Sequence, residues 1–139
     1  MAIATSPTTW SRHLSAPAEK LGVLLLSAAS SRVHACLMLA TMAAALGRDV
    51  MLFATDAGVA ALRAHGAAGQ EAEEEARRKA LGVATSAELL AAAGELGVRL
   101  VACETAMRLA GLEAADLASG VEVAGMANLL GHGGAVVSF

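Results

Sequence analysis

Short apolar segments alternate with longer segments in which apolar residues recur at helical spacing. The run LGVLLL at residues 21–26 is unbroken and is followed by a serine-rich stretch, a pattern typical of a strand buried on both faces. The same reasoning predicts strands at residues 21–26, 49–54, 98–102, 121–123 and 135–139. Helices are predicted between them at residues 32–46, 57–65, 71–80, from 86 onward, and at 104–112, 113–118 and 125–130. This alternation predicts a single α/β domain with about five parallel strands and helices on both faces.

The ends of these segments carry residues that begin and end helices. The serines of residues 27–31 are predicted to supply the N-cap of the first helix. Ser86 is predicted to be the N-cap of the helix that begins at that residue. Gly47 is expected to end the first helix, and a turn is predicted at 131–134, with His132 in it as a turn or interface residue. The charged segment 71–80 contains three Glu/Arg or Glu/Lys pairs four residues apart, which favours a solvated helical face.

The first 20 residues show no apolar period and contain both prolines, so they are predicted to form a flexible tail before a domain at residues 21–139. They also lack the apolar core of a secretory signal, which favours a cytoplasmic location. The longest uncharged apolar run in the first half of the chain, residues 33–47, is shorter than the roughly 20 residues that a membrane-spanning helix needs. No membrane span is therefore expected.

The amino-acid composition limits the kinds of molecule that the protein is expected to bind. Hydrophobic residues make up 56% of the chain and aromatic residues only 2%, so the core must consist of Ala, Leu, Val and Met. So much apolar surface in a small domain favours a homo-oligomer. The net charge of −3, without basic stripes, argues against nucleic-acid binding.

Three predicted loops meet at the carboxyl edge of the sheet, where open parallel sheets bind ligands near the point at which strand order reverses. They are residues 27–31, 55–58 and 103–105. Cys103 is the main candidate for chemistry, because backbone N–H groups at a helix start stabilise a thiolate. Glu104 opposes this effect, since a neighbouring carboxylate disfavours a second anion. Cys36 is predicted to be a structural residue within an apolar helix.

Other polar or sulfur-containing residues near this edge are weaker candidates for binding. Ser27 and Ser30 are candidate hydrogen-bond donors, and His34 a candidate partner for an anion. Asp56 either caps the next helix or lines the cleft, and Met107 is a candidate for the wall beside Cys103. The binding candidates are thus Ser27, Ser30, His34, Asp56, Glu104, Thr105 and Met107. No metal-ligand spacing, P-loop, dinucleotide fingerprint or hydrolase motif is present, so no metal and no cofactor is expected.

The segment VACETAMRLAGL carries a family resemblance. Its pairs Ala102-Cys103, Ala106-Met107 and Gly111-Leu112 resemble the cysteine motif of the DsrE/DsrF-like sulfur-relay superfamily, in its DsrE2-type, "peroxiredoxin-like" branch. The segments LLLSAASSRVHACLMLATMAAALGRDV and FATDAGV are also similar. The resemblance implies a flavodoxin-like fold, assembly into oligomers (often trimers or hexamers), and a cysteine, here Cys103, that accepts or passes on sulfur.

Two functions follow as hypotheses. The first is a cytoplasmic sulfur carrier or sulfurtransferase, whose Cys103 thiolate takes persulfide or thiosulfonate sulfur from a partner such as a TusA-like carrier; whether it turns over as an enzyme is left open. The alternative is a non-catalytic oligomeric binding or assembly module with a pocket for a small ligand or a partner at the same edge of the sheet. Thiol peroxidase activity is disfavoured, because the sequence offers no obvious resolving cysteine.

Overall fold

Five parallel strands form one sheet in the computed structural model, which describes residues 18–64 and 70–139. The strands are β1 (Lys20–Leu25), β2 (Asp49–Ala54), β3 (Arg99–Cys103), β4 (Glu122–Ala124) and β5 (Ala135–Ser138). The predicted α/β class and the predicted five parallel strands are confirmed. Residues 1–17 of the predicted tail, together with His65 and Gly66 at the predicted end of the second helix, lie outside the described residues.

The α-helices are α1 (Ser30–Ala45), α2 (Gln70–Ala80), α3 (Ser86–Glu95), α4 (Glu104–Ala110) and α5 (Ala127–His132). Two further helical segments are 3₁₀ helices, at Asp56–Leu62 and Ala114–Asp116. The predicted helix at 57–65 is therefore shorter and more tightly wound than its pattern indicates.

The strand order is β4-β3-β2-β1-β5. From β1 to β4, each strand is added on the same side of the preceding one. The connection from β4 then returns across the sheet and places β5 on the other side of β1. Because such crossovers are right-handed, this reversal places α5 on the opposite face from α1. Both helices contact β1 and β2, so the centre of the sheet is covered on both sides.

The core is built from small and medium apolar side chains on both faces of the central strands. Every residue from Val50 to Ala54 is at most 1% exposed, and Phe53 is the largest fully buried side chain. The inner surface of α1 contributes Cys36, Leu37, Ala40 and Ala43, and α1 also packs on α3. Alanines let these layers approach closely, as the composition predicts.

Three local predictions are wrong. Ala29, not a serine, occupies the N-cap of α1 and makes no side-chain cap. Thr85 rather than Ser86 caps α3, since its hydroxyl accepts from the Glu88 amide at 3.1 Å. His132 ends α5 and is buried instead of lying in a turn, because its Nε2 donates to the Asp49 carbonyl at 3.0 Å.

The charged helix α2 is not simply a solvated face. Arg78 pairs with Glu75 at 2.7 Å and with Glu74 at 3.8 Å, and it also donates to the Ser30 hydroxyl at 2.9 Å. Glu75 in turn accepts from the Ser86 amide at 2.8 Å. This network ties α2 to the first residues of α1 and α3, which no local spacing of charges indicates.

We expect the buried Cys36 to make stability depend on pH in alkaline solution. Burial raises the pKa of its thiol from 9.0 to about 12, so the unfolded chain loses this proton before the folded chain does. The free energy of unfolding should therefore fall by about 1.4 kcal/mol per pH unit above pH 9 through this group. Denaturant unfolding of the wild type and of Cys36→Ala between about pH 8 and pH 10.5 checks this. The difference between the two proteins should shift in favour of the variant as pH rises, and a constant difference would contradict it.

Candidate functional site

Cys103 is the last residue of β3 and lies at the N-cap of α4, which begins at Glu104. Its backbone is extended, with φ −66° and ψ 124°, so the chain turns from strand to helix immediately after it. The residue is 6% exposed. This position places it beside the first turn of α4, where free backbone amides favour a thiolate.

The pairing of β2 with β3 brings a second polar residue to the thiol. Ala54 lies opposite Ala102 in the parallel register, so the next residues, Thr55 and Cys103, leave the sheet side by side. Hydrogen bonding from the Thr55 side chain acts to lower the pKa of the Cys103 thiol. Hydrogen bonding from the Ala106 and Thr105 amides and from the Thr105 hydroxyl acts in the same direction.

These donors decide the ionisation of Cys103. Burial acts to raise the pKa of the thiol, but the hydrogen bonds from Thr55, Ala106 and Thr105 together outweigh it, and the pKa is lowered from its ordinary value. Hydrogen bonds favour the anion because they replace the water that the thiolate loses on burial. The site therefore stabilises the nucleophilic form of the cysteine.

The loop that carries Thr55 is held by a close approach of two backbone segments. The Thr55 amide donates to the Leu25 carbonyl at 2.9 Å, and the Gly58 amide donates to the Leu26 carbonyl at 3.2 Å. A Cβ atom on Gly58 would collide with the Leu25 carbonyl oxygen. Glycine is thus required here by space, and it fixes the end of β2 against the end of β1.

Asp56 lies in this loop with φ +50°, which is uncommon for a residue other than glycine. Its side chain is exposed, and it starts the 3₁₀ helix without a side-chain cap, since Thr55 occupies the N-cap. Asp56 is not among the residues whose hydrogen bonding lowers the pKa of Cys103, whereas its neighbour Thr55 is.

Glu104 forms an ion pair within α4. Its carboxylate accepts from Arg108 at 2.8 Å, one turn along α4. The positive guanidinium offsets the carboxylate that the sequence places next to Cys103. Met107 is buried on the inner side of α4, 4% exposed, where it fills the core under this helix.

The remaining candidates are not brought to Cys103. The Ser27 hydroxyl accepts from the Ala29 amide at 3.0 Å and shapes the turn into α1. Ser30 is engaged by Arg78, and His34 donates from Nε2 to the Ala84 carbonyl at 2.8 Å. The reversal of strand order also lies between β1 and β5, whereas Cys103 lies between β2 and β4, so the cysteine is at the predicted edge but not at the reversal.

Thr55 and Ala106 are the neighbours that sequence reasoning missed. Thr55 lies in a loop that the strand pattern predicts at this edge. Its position directly after β2 could have identified it as a neighbour of Cys103. Ala106 contributes only a backbone N–H, which no side-chain pattern marks. Cys36 is fully buried in α1, and both cysteines are free thiols.

Neither a metal cluster nor a membrane span is found in the described part of the chain. No three His, Cys, Asp or Glu side chains there converge as metal ligands. Among residues 18–64 and 70–139, no helix has the length and apolar character needed to cross a membrane.

The sequence of the described domain matches a protein-family model. The model of the DsrE/DsrF-like family matches residues 19–139, which is nearly the whole described domain. This chain belongs to the DsrE/DsrF-like family. The resemblance seen in the sequence is thereby confirmed, and the family is associated with sulfur relay.

Two solved structures share the fold of this chain. The ychN protein from E. coli superposes with a TM-score of 0.68 at 18% identity, over 88% of this DsrE/DsrF-like chain and 100% of the other. MTH1491 from Methanobacterium thermoautotrophicum, a protein of unknown function, gives a TM-score of 0.57 at 22% identity, over 87% of this chain and 99% of the other. At these identities the likeness supports the fold alone. No curated protein sequence matches the chain significantly.

Removing the Thr55 hydroxyl should make Cys103 of this DsrE/DsrF-like protein a weaker thiolate. In Thr55→Val the pKa of Cys103 should rise, because one donor to the anion is lost while burial is unchanged. Alkylation of Cys103 by iodoacetamide at pH 7 should slow several-fold, and its pH midpoint should move upward. Mass spectrometry of timed samples measures both.

Thr41→Val is the matched control, since the Thr41 hydroxyl contacts the Leu89 carbonyl on the α1–α3 side and not Cys103. Equal alkylation rates in Thr55→Val and wild type would contradict a role of Thr55 in stabilising the thiolate.

Proposed function

We propose that this protein is a sulfur carrier of sulfurtransferase type, which accepts sulfur on Cys103 and passes it to another thiol. The observation that carries the proposal is the set of hydrogen-bond donors that lowers the pKa of this cysteine. Membership of the DsrE/DsrF-like family supports it. A thiolate is the form that attacks sulfur in exchange reactions, and a lowered pKa increases its fraction near neutral pH.

The loading step is a simple displacement. The Cys103 thiolate attacks the outer sulfur of a donor persulfide, R–S–SH; a new S–S bond forms, the old one breaks, and the donor leaves as the thiolate R–S⁻. The proton of the donor persulfide stays on the transferred sulfur. With thiosulfate as donor, the outer sulfur moves in the same way and sulfite leaves. No electrons are gained or lost overall in either case.

Unloading reverses this chemistry on a different partner. An acceptor thiolate attacks the outer sulfur of the Cys103 persulfide, and Cys103 leaves as the stabilised thiolate. Donors that favour the Cys103 anion make it a better leaving group as well as a more available nucleophile. The same hydrogen bonds therefore assist both directions of transfer.

Charges around the sulfur suit an anionic cargo. Hydrogen bonding from the amides of Thr105 and Ala106 acts to lower the pKa of Cys103, and Arg108, on the next turn of α4, is paired with Glu104. Because Glu104 is neutralised by this pair, its repulsion of an incoming anionic donor is reduced. We infer that a TusA-like or other sulfur-carrier protein is the donor or acceptor, and that transfer takes place in the cytoplasm.

We also infer that the protein acts as a homo-oligomer, a trimer or a hexamer. Apolar side chains of α5 and β5 are exposed in the single chain, with Leu130 at 75%, Val136 at 47% and Met126 at 41%. Native mass spectrometry measures the assembly. A monomer at micromolar concentration would remove the inference without affecting the chemistry of Cys103.

A second candidate function has one observation in its favour. A cavity of about 1290 Å³ lies between α1, the first 3₁₀ helix, α2 and α3, and its lining includes Ala28, Ser30, Val33 and Leu90 but not Cys103. Such a volume is large enough for a small ligand. A binding module would use this cavity and leave Cys103 without a chemical task.

Intact-mass spectrometry of the reduced protein separates the two functions. After exposure to thiosulfate, tetrathionate or a persulfide donor, we expect the wild type to gain a sulfur-sized or thiosulfonate-sized adduct. Cys103→Ser should gain none, and Cys36→Ala should behave as the wild type, because Cys36 is buried with a raised pKa. The comparison of the two cysteine variants assigns the adduct to one residue.

Two outcomes would overturn sulfur transfer. One is an adduct that persists in Cys103→Ser, and the other is the absence of any adduct from native protein whose denatured form still reacts. Either result would favour the second candidate function, a binding module.

A further inference from the structure

One face of α1 carries a histidine and two methionines at intervals of four residues. His34, Met38 and Met42 line a single groove together with Thr41, Val83, Ala84 and Leu89, and its volume is about 170 Å³. Residues four apart lie one above the other on a helix. The three side chains thus form a row along the groove, separate from Cys103.

The two methionines are unusually open to solvent for core-type residues. Met38 is 51% exposed and Met42 is 61% exposed. Methionine normally fills gaps in a core, and here both thioethers are accessible along the groove. Packing within the chain does not account for both being methionine.

His34 is held in an orientation that leaves one ring nitrogen available. A carbonyl oxygen only accepts hydrogen bonds, so the contact of Nε2 with the Ala84 carbonyl at 2.8 Å means that Nε2 carries the hydrogen. In the neutral ring, Nδ1 then keeps its lone pair. Histidines that bind metals commonly donate their other ring N–H to a backbone carbonyl, which fixes the tautomer and the direction of the ring.

We propose that His34, Met38 and Met42 form a binding site for a soft monovalent cation, Cu⁺ or its analogue Ag⁺. Thioether sulfur and imidazole nitrogen are ligands that select Cu⁺ over hard cations. The rest of the groove supplies apolar side chains and one threonine hydroxyl, which itself lies 3.4 Å from the Leu89 carbonyl. Harder divalent ions find no cluster of carboxylates, thiolates or imidazoles on residues 18–64 and 70–139.

The direction of helical side chains favours shared ligation. Long side chains on a helix lean towards its N-terminus, over the preceding turn. By this tendency we expect Met38 to extend towards His34, and Met42 towards Met38. The flexible thioether chains adjust their sulfur positions without moving the helix, and a soft cation is satisfied by few ligands.

The test follows the methionine methyl groups during a silver titration. Full-length protein carrying Cys36→Ala and Cys103→Ser, so that no thiolate competes, is labelled at the methionine methyl carbons and titrated with silver nitrate in chloride-free buffer. We expect the NMR signals of Met38 and Met42 to shift and to saturate at one equivalent. The signals of Met51 and Met107, which are buried, and of Met126 should stay in place.

Methionine-to-leucine variants separate metal binding from an apolar role of this face. Met38→Leu and Met42→Leu keep the apolar surface and remove the sulfur, so each should weaken silver binding at least tenfold. Met126→Leu is the matched control, because Met126 is also exposed, at 41%, but has no histidine beside it in sequence. Signals of Met38 and Met42 that do not move, or that move no more than that of Met126, would overturn the proposal.

If the double cysteine variant folds poorly, a second sample replaces it in the titration. In wild-type protein alkylated at Cys103, the remaining thiol, Cys36, is fully buried. The same methyl shifts are expected there, and their absence would count equally against the site.

Discussion

The parallel register between β2 and β3 is the constraint on which the candidate site depends. Pairing of Phe53 with Val101 and of Ala54 with Ala102 makes the two strands end together, so that Thr55 and Cys103 emerge as neighbours. Because side chains alternate between faces, a slip of one residue would turn the fully buried Phe53 to the other face of the sheet. The apolar core therefore holds the hydroxyl and the thiol in place, although neither belongs to its centre.

The pKa values of the two cysteines differ because their positions in the fold differ. Cys36 and Cys103 are both nearly inaccessible, at 0% and 6% exposed. Burial alone raises the pKa of Cys36, whereas Cys103 has amide and hydroxyl donors that reverse the effect of burial. An apolar helix interior keeps one sulfur neutral, while the strand-to-helix turn gives the other the partners that an anion needs.

Local sequence patterns predicted the class of the fold and the ends of the strands to within one residue, because the strands are short and mainly apolar segments. They also placed Cys103 at the end of β3. They did not predict contacts between distant segments. Arg78 reaches Ser30, His132 reaches Asp49, and His34 reaches Ala84. Each of these polar groups finds its partner only once the sheet has assembled, so the roles of His34 and Ser30 differ from those that their positions in sequence suggested.

The place of β5 beside β1 has a consequence for how the molecule is made. β1 lies between β2 and β5, and its far neighbour comes from the opposite end of the described chain, where the Phe139 amide donates to the Leu24 carbonyl and the Leu26 amide to the Phe139 carbonyl. During synthesis on the ribosome, the apolar first strand must therefore wait with one open edge while all the other strands emerge. Unpaired strand edges of this kind attract other chains. The growing polypeptide is therefore exposed to misassociation along this edge of β1 until β5 pairs with it.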